Sequence, residues 1–280
     1  MEGLLLILIP VALILLLGLA GLMLVDFALL GGDRRLEERE KERRFWRPPF
    51  VRGAELVAWA REKGAAAVRR ALDRGIASST PGALSEEVHA GADRAMLPDM
   101  TRRDAAETVP CPAGGQGTIG VTAPEAIAIA EHIQRELPQA EQEEILRRAR
   151  ANAADLPYAA ARGDTATPCA LQGGDCVCLT YRTRPLRCRP LHATELLQRL
   201  DRRTSDLHEE AARTAHAKLV AEGIEEGYAG ALETLGLDGN VYELNSALAV
   251  ALSMDDVARR WLNAEPVFSD CAPGPGSVLA

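Results

Sequence analysis

One long apolar run near the amino terminus constrains this chain more than any other feature. The stretch LLLILIPVALILLLGLAGLMLV extends from Leu4 to Val25 without a charged residue. A hydrophobic helix of this length can cross the hydrocarbon core of a bilayer. The alternative is a cleaved signal peptide, which needs a basic start and a shorter apolar region. Because the chain starts with Met-Glu-Gly, we predict an uncleaved transmembrane anchor within residues 1–30.

The charged segment that follows, residues 31–52, sets the expected orientation. It is rich in basic residues, namely Arg34, Arg35, Arg39, Lys41, Arg43, Arg44 and Arg47. Basic residues beside a membrane span stay on the cytoplasmic side. This pattern predicts a single-pass protein of the inner (cytoplasmic) membrane, with its soluble domain in the cytoplasm and the lipid bilayer as a partner. The alternative is that the segment is a solvated helical spacer.

Composition favours helices in the rest of the chain and argues against nucleic-acid binding. Aromatic residues make up only 4% and the net charge is −8, whereas a nucleic-acid interface needs a basic face. Thr122 and Glu125 form a capping box that predicts a helix start, Gly223 is expected to end a later helix, and the lone His89 is expected at the surface. We predict a helical segment over 53–107, a cysteine-cluster region over 108–192, a second helical segment over 193–268 and a disordered tail over 269–280.

The stretch CPAGGQGTIG contains a glycine pattern typical of dinucleotide sites. Gly115, Gly117 and Gly120 have the required spacing. That pattern binds phosphate only between a hydrophobic strand and a helix that starts within the glycines. Here the preceding segment is charged and ends in Pro110, and the predicted helix begins after the last glycine. We therefore expect no nucleotide at this site.

Five of the six cysteines fall in the cysteine-cluster region, at Cys111, Cys169, Cys176, Cys178 and Cys188. In a reducing compartment, clustered cysteines indicate metal rather than disulfides. Four thiolates satisfy tetrahedral zinc or hold an iron–sulfur cluster. The neighbouring arginines, Arg182, Arg184, Arg187 and Arg189, would lower the thiol pKa values. Two alternatives stay open: disulfides, if the orientation is reversed, and a decayed site whose cysteines serve as small buried residues.

The stretch CALQGGDCVCLTYRTRPLRCR resembles the signature of the cysteine-cluster family often called YkgJ-like, a zinc- or iron-chelating domain. The matching positions are Cys169, Gly174, Cys178, Tyr181, Arg184, Pro185, Cys188 and Arg189. The family also has an upstream segment with several cysteines, then a short strand and a helix. VPCPAGGQGTIGVTAPEAIAIAEHI is similar to that element, but Cys111 is its only cysteine. The resemblance implies a ligand set of Cys111, Cys169, Cys178 and Cys188, with Cys176 as an extra or a substitute and His192 as a fallback.

These observations predict a mainly α-helical fold, in which one N-terminal transmembrane helix precedes a helical domain with a cysteine-rich, irregular metal-binding loop. The expected function is that of a membrane-anchored cytoplasmic metal-binding protein with zinc or an iron–sulfur cluster, working with a membrane or redox protein complex. The alternative is a membrane-tethered helical adaptor with a vestigial cysteine cluster. No catalytic constellation is found, and the enzymatic role left open is redox chemistry at an iron–sulfur cluster. Cys271, in the tail, is not expected to be a ligand.

Overall fold

The computed structural model describes residues 37–49, 51–75, 80–96, 111, 118–162, 168–191 and 207–274. The chain divides into two compact units, Met1–Arg47 and Pro48–Ala280. The described part of the first unit is a helix, α1, over residues 37–46. On this helix the Glu40 carboxylate pairs with Arg43 and Arg44, one turn further along.

The second unit is mainly helical, with one small sheet. Its helices are α2 (Ala54–Asp73), α3 (Pro81–Met96), α4 (Ala123–Glu136), α5 (Gln139–Arg162), α6 (Leu207–Thr234), α7 (Leu244–Ala251) and α8 (Val257–Leu262). Strands β1 (Gly120–Thr122) and β2 (Val241–Glu243) pair antiparallel, with Val121 opposite Tyr242. Each strand leads directly into a helix, β1 into α4 and β2 into α7. The sheet therefore fixes where both helices begin.

The predicted transmembrane fold is contradicted. In the described ranges of the chain, no helix is both long enough and apolar enough to span a membrane. The longest of them, α5 and α6, carry charged residues along much of their length. The predicted anchor, residues 1–30, lies outside the described ranges. On this finding the predicted transmembrane helix is wrong. The predictions of a single-pass membrane protein and of an inner-membrane location with a cytoplasmic domain are wrong with it.

Helices α2 and α6 pack closely because glycines remove side chains from their contact. A Cβ atom added at Gly64 would overlap the carbonyl oxygen of Ile224, and one added at Gly227 would overlap that of Arg61. Gly223 likewise lies against the backbone of α2 at Val57. The predicted helix end at Gly223 is therefore wrong, because α6 continues to Thr234. This glycine serves close helix packing and not termination.

The carboxy-terminal end of the described chain packs against the sheet. The Gly274 N–H donates to the carbonyl oxygen of Val241 (3.0 Å), and the Glu243 N–H donates to that of Ala272 (2.9 Å). Cys271 is buried beside them. The tail expected to be disordered over 269–280 is therefore ordered through Gly274, since these bonds use the open edge of β2.

The glycine contact yields a stability prediction. Gly227→Ala should lower the free energy of unfolding by about 1–3 kcal/mol or more, because the new methyl group overlaps the α2 backbone and the two helices must separate. Gly230→Ala is the matched control, since Gly230 lies in the same helix with open space around its Cα. The control should be neutral or about 0.5–1 kcal/mol more stable. Denaturant unfolding of both variants measures the difference, and equal effects would contradict the assigned contact.

Candidate functional site

The candidate site is the cysteine loop, which we define as residues 168–191. Its backbone turns through three short 3₁₀ segments, Gly174–Cys176, Tyr181–Thr183 and Leu186–Cys188. The first of these lies in a tight hairpin, in which the Gly173 N–H donates to the carbonyl oxygen of Val177 (2.8 Å). Cys176, at the tip, has a left-handed backbone with φ of 59°. The loop thus has defined local structure in spite of its lack of helical periodicity.

The first part of the loop is fixed by amide side chains from two helices. The Asn245 side chain, on α7, accepts from the Ala170 N–H (3.1 Å) and donates to the carbonyl oxygen of Pro168 (3.2 Å). Asn152, on α5, donates to the same Pro168 oxygen (2.8 Å). Arg148, also on α5, donates to the carbonyl oxygen of Gln172 (2.6 Å). These bonds place Cys169 and the hairpin against α5.

The second part of the loop is held by the buried carboxylate of Glu125. One carboxylate oxygen accepts from the Leu186 N–H (2.8 Å), and the other accepts from the N–H (2.9 Å) and the hydroxyl (3.0 Å) of Thr122. The Nε2 atom of His89, on α3, lies 2.8 Å from the same oxygen that receives the Leu186 N–H. Burial acts to raise the pKa of Glu125, but His89 and the N–H groups of Thr122 and Leu186 outweigh it, so the pKa is lowered.

Two loop arginines form ion pairs with helices on either side. Arg187 contacts both carboxylate oxygens of Glu225, on α6, with its Nε atom 3.0 Å from each. Burial raises the pKa of Glu225 to about 7, against the opposing effect of Arg187. Arg189 is almost fully buried and donates to Asp93, on α3, at 2.5 Å. The arginines expected to lower thiol pKa values are therefore used mainly to attach the loop.

Arg184 is the loop arginine that lies close to the thiols. Its guanidinium stacks over the Tyr181 ring, 4.2 Å from the centroid, and donates to the Tyr181 carbonyl oxygen (2.8 Å). It is buried, and its Nε atom has no hydrogen-bond partner among the described residues. Its charge acts to lower the pKa values of Cys178 and Cys188. This cation also pairs with Asp93, at 3.7 Å, so its charge acts on that carboxylate as well as on the thiols.

Four of the five predicted cysteines come together, and the fifth lies outside the group. The thiols of Cys111, Cys169, Cys178 and Cys188 lie within electrostatic reach of one another. We call these four the thiol group. Cys176 is exposed at the hairpin tip. The Cys111 N–H nevertheless donates to the Cys176 carbonyl oxygen (2.8 Å), which joins two distant segments of the chain.

Burial keeps most of the thiol group protonated. It raises the pKa of Cys169 to about 12, and the neighbouring thiols of Cys178 and Cys111 add to that rise. Burial also raises the pKa values of Cys178 and, more strongly, of Cys188. A thiol must lose its proton before it can act as a nucleophile or as a metal ligand. Cys169, Cys178 and Cys188 are therefore unreactive as long as they keep their protons.

The predicted metal-binding loop is not supported. In the part of the chain that the structure describes, no three or more histidine, cysteine, aspartate or glutamate side chains are arranged to hold a metal ion. Structural zinc needs four ligands around one point, and an iron–sulfur cluster is likewise held by four cysteines. The metal-binding element of the fold class is wrong for these residues. The zinc or iron–sulfur cofactor stays a prediction from the sequence, on which no step below depends, and the fallback ligand His192 lies outside the described residues.

The residues that hold the loop were the ones least visible in the sequence. His89 was expected at the surface, but it is buried against Glu125. The sequence does not indicate that Asp93 and Glu225 hold the loop, because their arginine partners are distant in sequence. The capping box did identify Glu125, and the structure confirms it at the start of α4. A buried second role for that carboxylate could have been suspected from the apolar residues around it.

Comparison of the chain with family models, with curated proteins and with solved structures gave no match. The resemblance to the YkgJ-like cysteine-cluster family therefore stays a prediction.

The Glu125 contacts yield a second stability prediction. Glu125→Gln should lower the free energy of unfolding by about 2–4 kcal/mol, because the amide loses the charge and turns its NH₂ group toward a buried donor. Glu136→Gln is the control, since Glu136 lies on the same helix and pairs with Arg135 at the surface. The control should show no measurable change. Equal losses for the two variants would contradict a special role for Glu125.

The contact between His89 and Glu125 yields a prediction for stability in acid. Burial and the nearby Arg189 lower the pKa of His89, against Glu125 and Asp93. Below pH 6.5, the ordinary value for histidine, the unfolded chain therefore binds a proton that the folded chain does not, and stability falls. Glu125, whose folded pKa is lowered, adds a further loss below pH 4.5. The slope from His89 approaches about 1.4 kcal/mol per pH unit. His89→Gln should flatten the unfolding free energy between pH 5 and 6.5, and a curve parallel to the wild type would contradict this.

Proposed function

We propose that this chain is a thiol–disulfide redox protein whose reactive centre is the cysteine loop. The observation that supports this most is the backbone hydrogen bond between Cys111 and Cys176. This bond, 2.8 Å long, places the two backbones side by side, and closeness of the backbone is the first condition for a disulfide, whose Cα atoms lie about 4.4–6.8 Å apart. The bond thus brings the backbone of an exposed cysteine beside that of a member of the thiol group.

The two sides of the site differ in exposure, which suits a reaction that starts at the surface. Cys176 is exposed at the hairpin tip, and Cys111 is half-buried behind it. The remaining members of the thiol group have raised pKa values and stay protonated. Thiol–disulfide exchange needs a thiolate that can reach its substrate. Cys176 therefore meets a small-molecule disulfide first.

The proposed reaction balances with a small disulfide as the oxidant. The Cys176 thiolate attacks one sulfur of that disulfide, which forms a mixed disulfide and releases one small thiolate. The Cys111 thiol then loses its proton to water and attacks the Cys176 sulfur, which releases the second small thiolate. The two released thiolates take up the protons that the two cysteines have lost. The protein loses two electrons and the small disulfide gains them.

Reactivity toward an alkylating reagent tests the division between exposed and buried thiols. In native protein at pH 8, Cys176 should react first, because it is exposed. Cys169 should react much more slowly than an ordinary cysteine, since its pKa of about 12, against 9.0, leaves about 1000-fold less thiolate. Peptide mass spectrometry over time gives the order, and in denaturant the difference should disappear. Equal native rates would contradict the protected state of Cys169.

Equilibration of the full chain with reduced and oxidised glutathione tests the function itself. Two free thiols per chain should be lost together as the ratio becomes more oxidising, and Cys111→Ser or Cys176→Ser should prevent formation of the initial protein disulfide. Cys271→Ser is the control, because Cys271 is buried beside β2 and lies outside the thiol group. Retention of all thiols under the most oxidising buffer would overturn the proposal and favour the helical adaptor. Stoichiometric zinc, or iron with labile sulfide, in protein purified without oxygen would overturn it as well.

A further inference from the structure

We infer that residues 271–274 form a strap whose release from β2 loosens the start of the cysteine loop. Through this strap, the carboxy-terminal part of the chain controls how firmly the site is held. The inference goes beyond the proposed function and does not depend on it, because it concerns the attachment of the loop and not the chemistry of the thiols. Its basis is a continuous series of hydrogen bonds from the strap, through the start of α7, to the loop.

The strap extends the small sheet by one short strand. Pro273 lies opposite Tyr242 in an antiparallel bridge, with a backbone hydrogen bond to β2 on each side of it. Proline has no N–H, so this exposed position donates no further bond. A third bond reaches α7, where the Ser246 hydroxyl accepts from the Ala272 N–H (3.2 Å). A short segment held in this way can open locally while the rest of the fold stays intact.

The chain before the strap is anchored independently. The Phe268 side chain is fully buried, and its ring centroid lies 5.6 Å from that of Tyr242. The Cys271 N–H donates back to the Phe268 carbonyl oxygen (3.0 Å). Because a buried aromatic ring is a strong anchor, Phe268 stays in place when the strap opens. The strap, paired or released, is therefore an element with two arrangements, which coupling between two parts of a fold requires.

Glu243 joins the strap to the start of α7. Its backbone N–H donates to the strap. Its carboxylate, which is almost fully buried, accepts from the Asn245 side chain at one oxygen and from the Ser246 N–H at the other, both at 2.8 Å. The residue that pairs with the strap is thus also the residue that caps the helix. Release of the strap frees the backbone that positions this carboxylate.

Asn245 carries the effect to the cysteine loop. Its side-chain oxygen accepts from the Ala170 N–H (3.1 Å), and its NH₂ group donates to Glu243 and to the carbonyl oxygen of Pro168 (3.2 Å). A buried amide with partners at both ends has one favourable orientation. A shift of the Glu243 carboxylate therefore weakens the bonds that hold the start of the loop. The end of the loop is held differently, by the carboxylate of Glu125.

Amide hydrogen exchange of the full chain, resolved by residue with NMR, tests the inference. Gly274→Ala should release the strap, because a Cβ atom added there would lie 2.7 Å from the Tyr242 carbonyl oxygen. Exchange of the Glu243 N–H measures this release directly. Exchange at Ala170 should rise by roughly three- to tenfold, the effect of about one weakened hydrogen bond. Exchange at Leu186, in the separately held end of the loop, should stay at the wild-type rate.

Ser269→Ala is the matched control, since Ser269 is exposed directly before the strap, and it should leave all three rates unchanged. Glu243→Gln tests the connection itself, because glutamine can accept from only one of the two donors that the carboxylate serves. In that background Ala170 should already exchange faster than in the wild type. Gly274→Ala should then add less than it does alone, since both changes act on the same series of bonds.

Faster exchange at Glu243 with an unchanged rate at Ala170 would overturn the inference, because the strap would then open without affecting the loop. Equal increases at Ala170 and Leu186 would also overturn it, since they indicate a loss of stability of the whole fold. An unchanged Glu243 rate in Gly274→Ala would contradict the assigned strap contact. These rates decide the matter even if Glu243→Gln does not fold. The glutathione equilibration tests the redox function separately, so the two proposals fail independently.

Discussion

The buried carboxylate of Glu125 connects three parts of the chain that are distant in sequence. It accepts from Thr122 at the start of α4, from Leu186 in the cysteine loop and from His89 on α3. A carboxylate without partners in such a position would cost several kcal/mol, because it leaves water without compensation. The helix start and the loop must therefore both be in place before the charge is satisfied. This makes the position of the cysteine loop a condition of the helical fold.

The sequence predicts the contact of Glu125 with Thr122 and does not predict its contacts with His89 and Leu186. The spacing of Thr122 and Glu125 indicates a capping box, because both partners lie within one helical turn. Nothing in the sequence pairs Glu125 with His89 or with the Leu186 N–H, since those contacts depend on how α3 and the loop pack. Gly223 shows the same limit. A glycine in a helix costs about 1 kcal/mol, which favours a helix end, unless a second helix comes as close as α2 does here.

For the cysteines, the sequence predicts which residues come together but not whether their thiols are ionised. The spacing of Cys169, Cys178 and Cys188 identified residues that do come together, with Cys111 joining them from a distant segment. It could not give their ionisation, which depends on how completely the fold removes each sulfur from water. Burial raises the pKa values of Cys169, Cys178 and Cys188, and this favours their neutral thiols. The protonation of these three thiols therefore depends on packing, which their spacing in the sequence does not show.

The arginines of the loop decide how a change at the thiols reaches the rest of the fold. Arg187 and Arg189 are paired with Glu225 on α6 and Asp93 on α3, so both ends of those pairs are held by buried or half-buried charges. Separating such a pair leaves an uncompensated charge and costs several kcal/mol. The last turn of the loop is therefore firmly attached, whereas the hairpin tip at Cys176 carries no such ion pair in the described chain. The proposed disulfide between Cys111 and Cys176 therefore forms in a part of the loop separate from the ion pairs that attach it to α3 and α6.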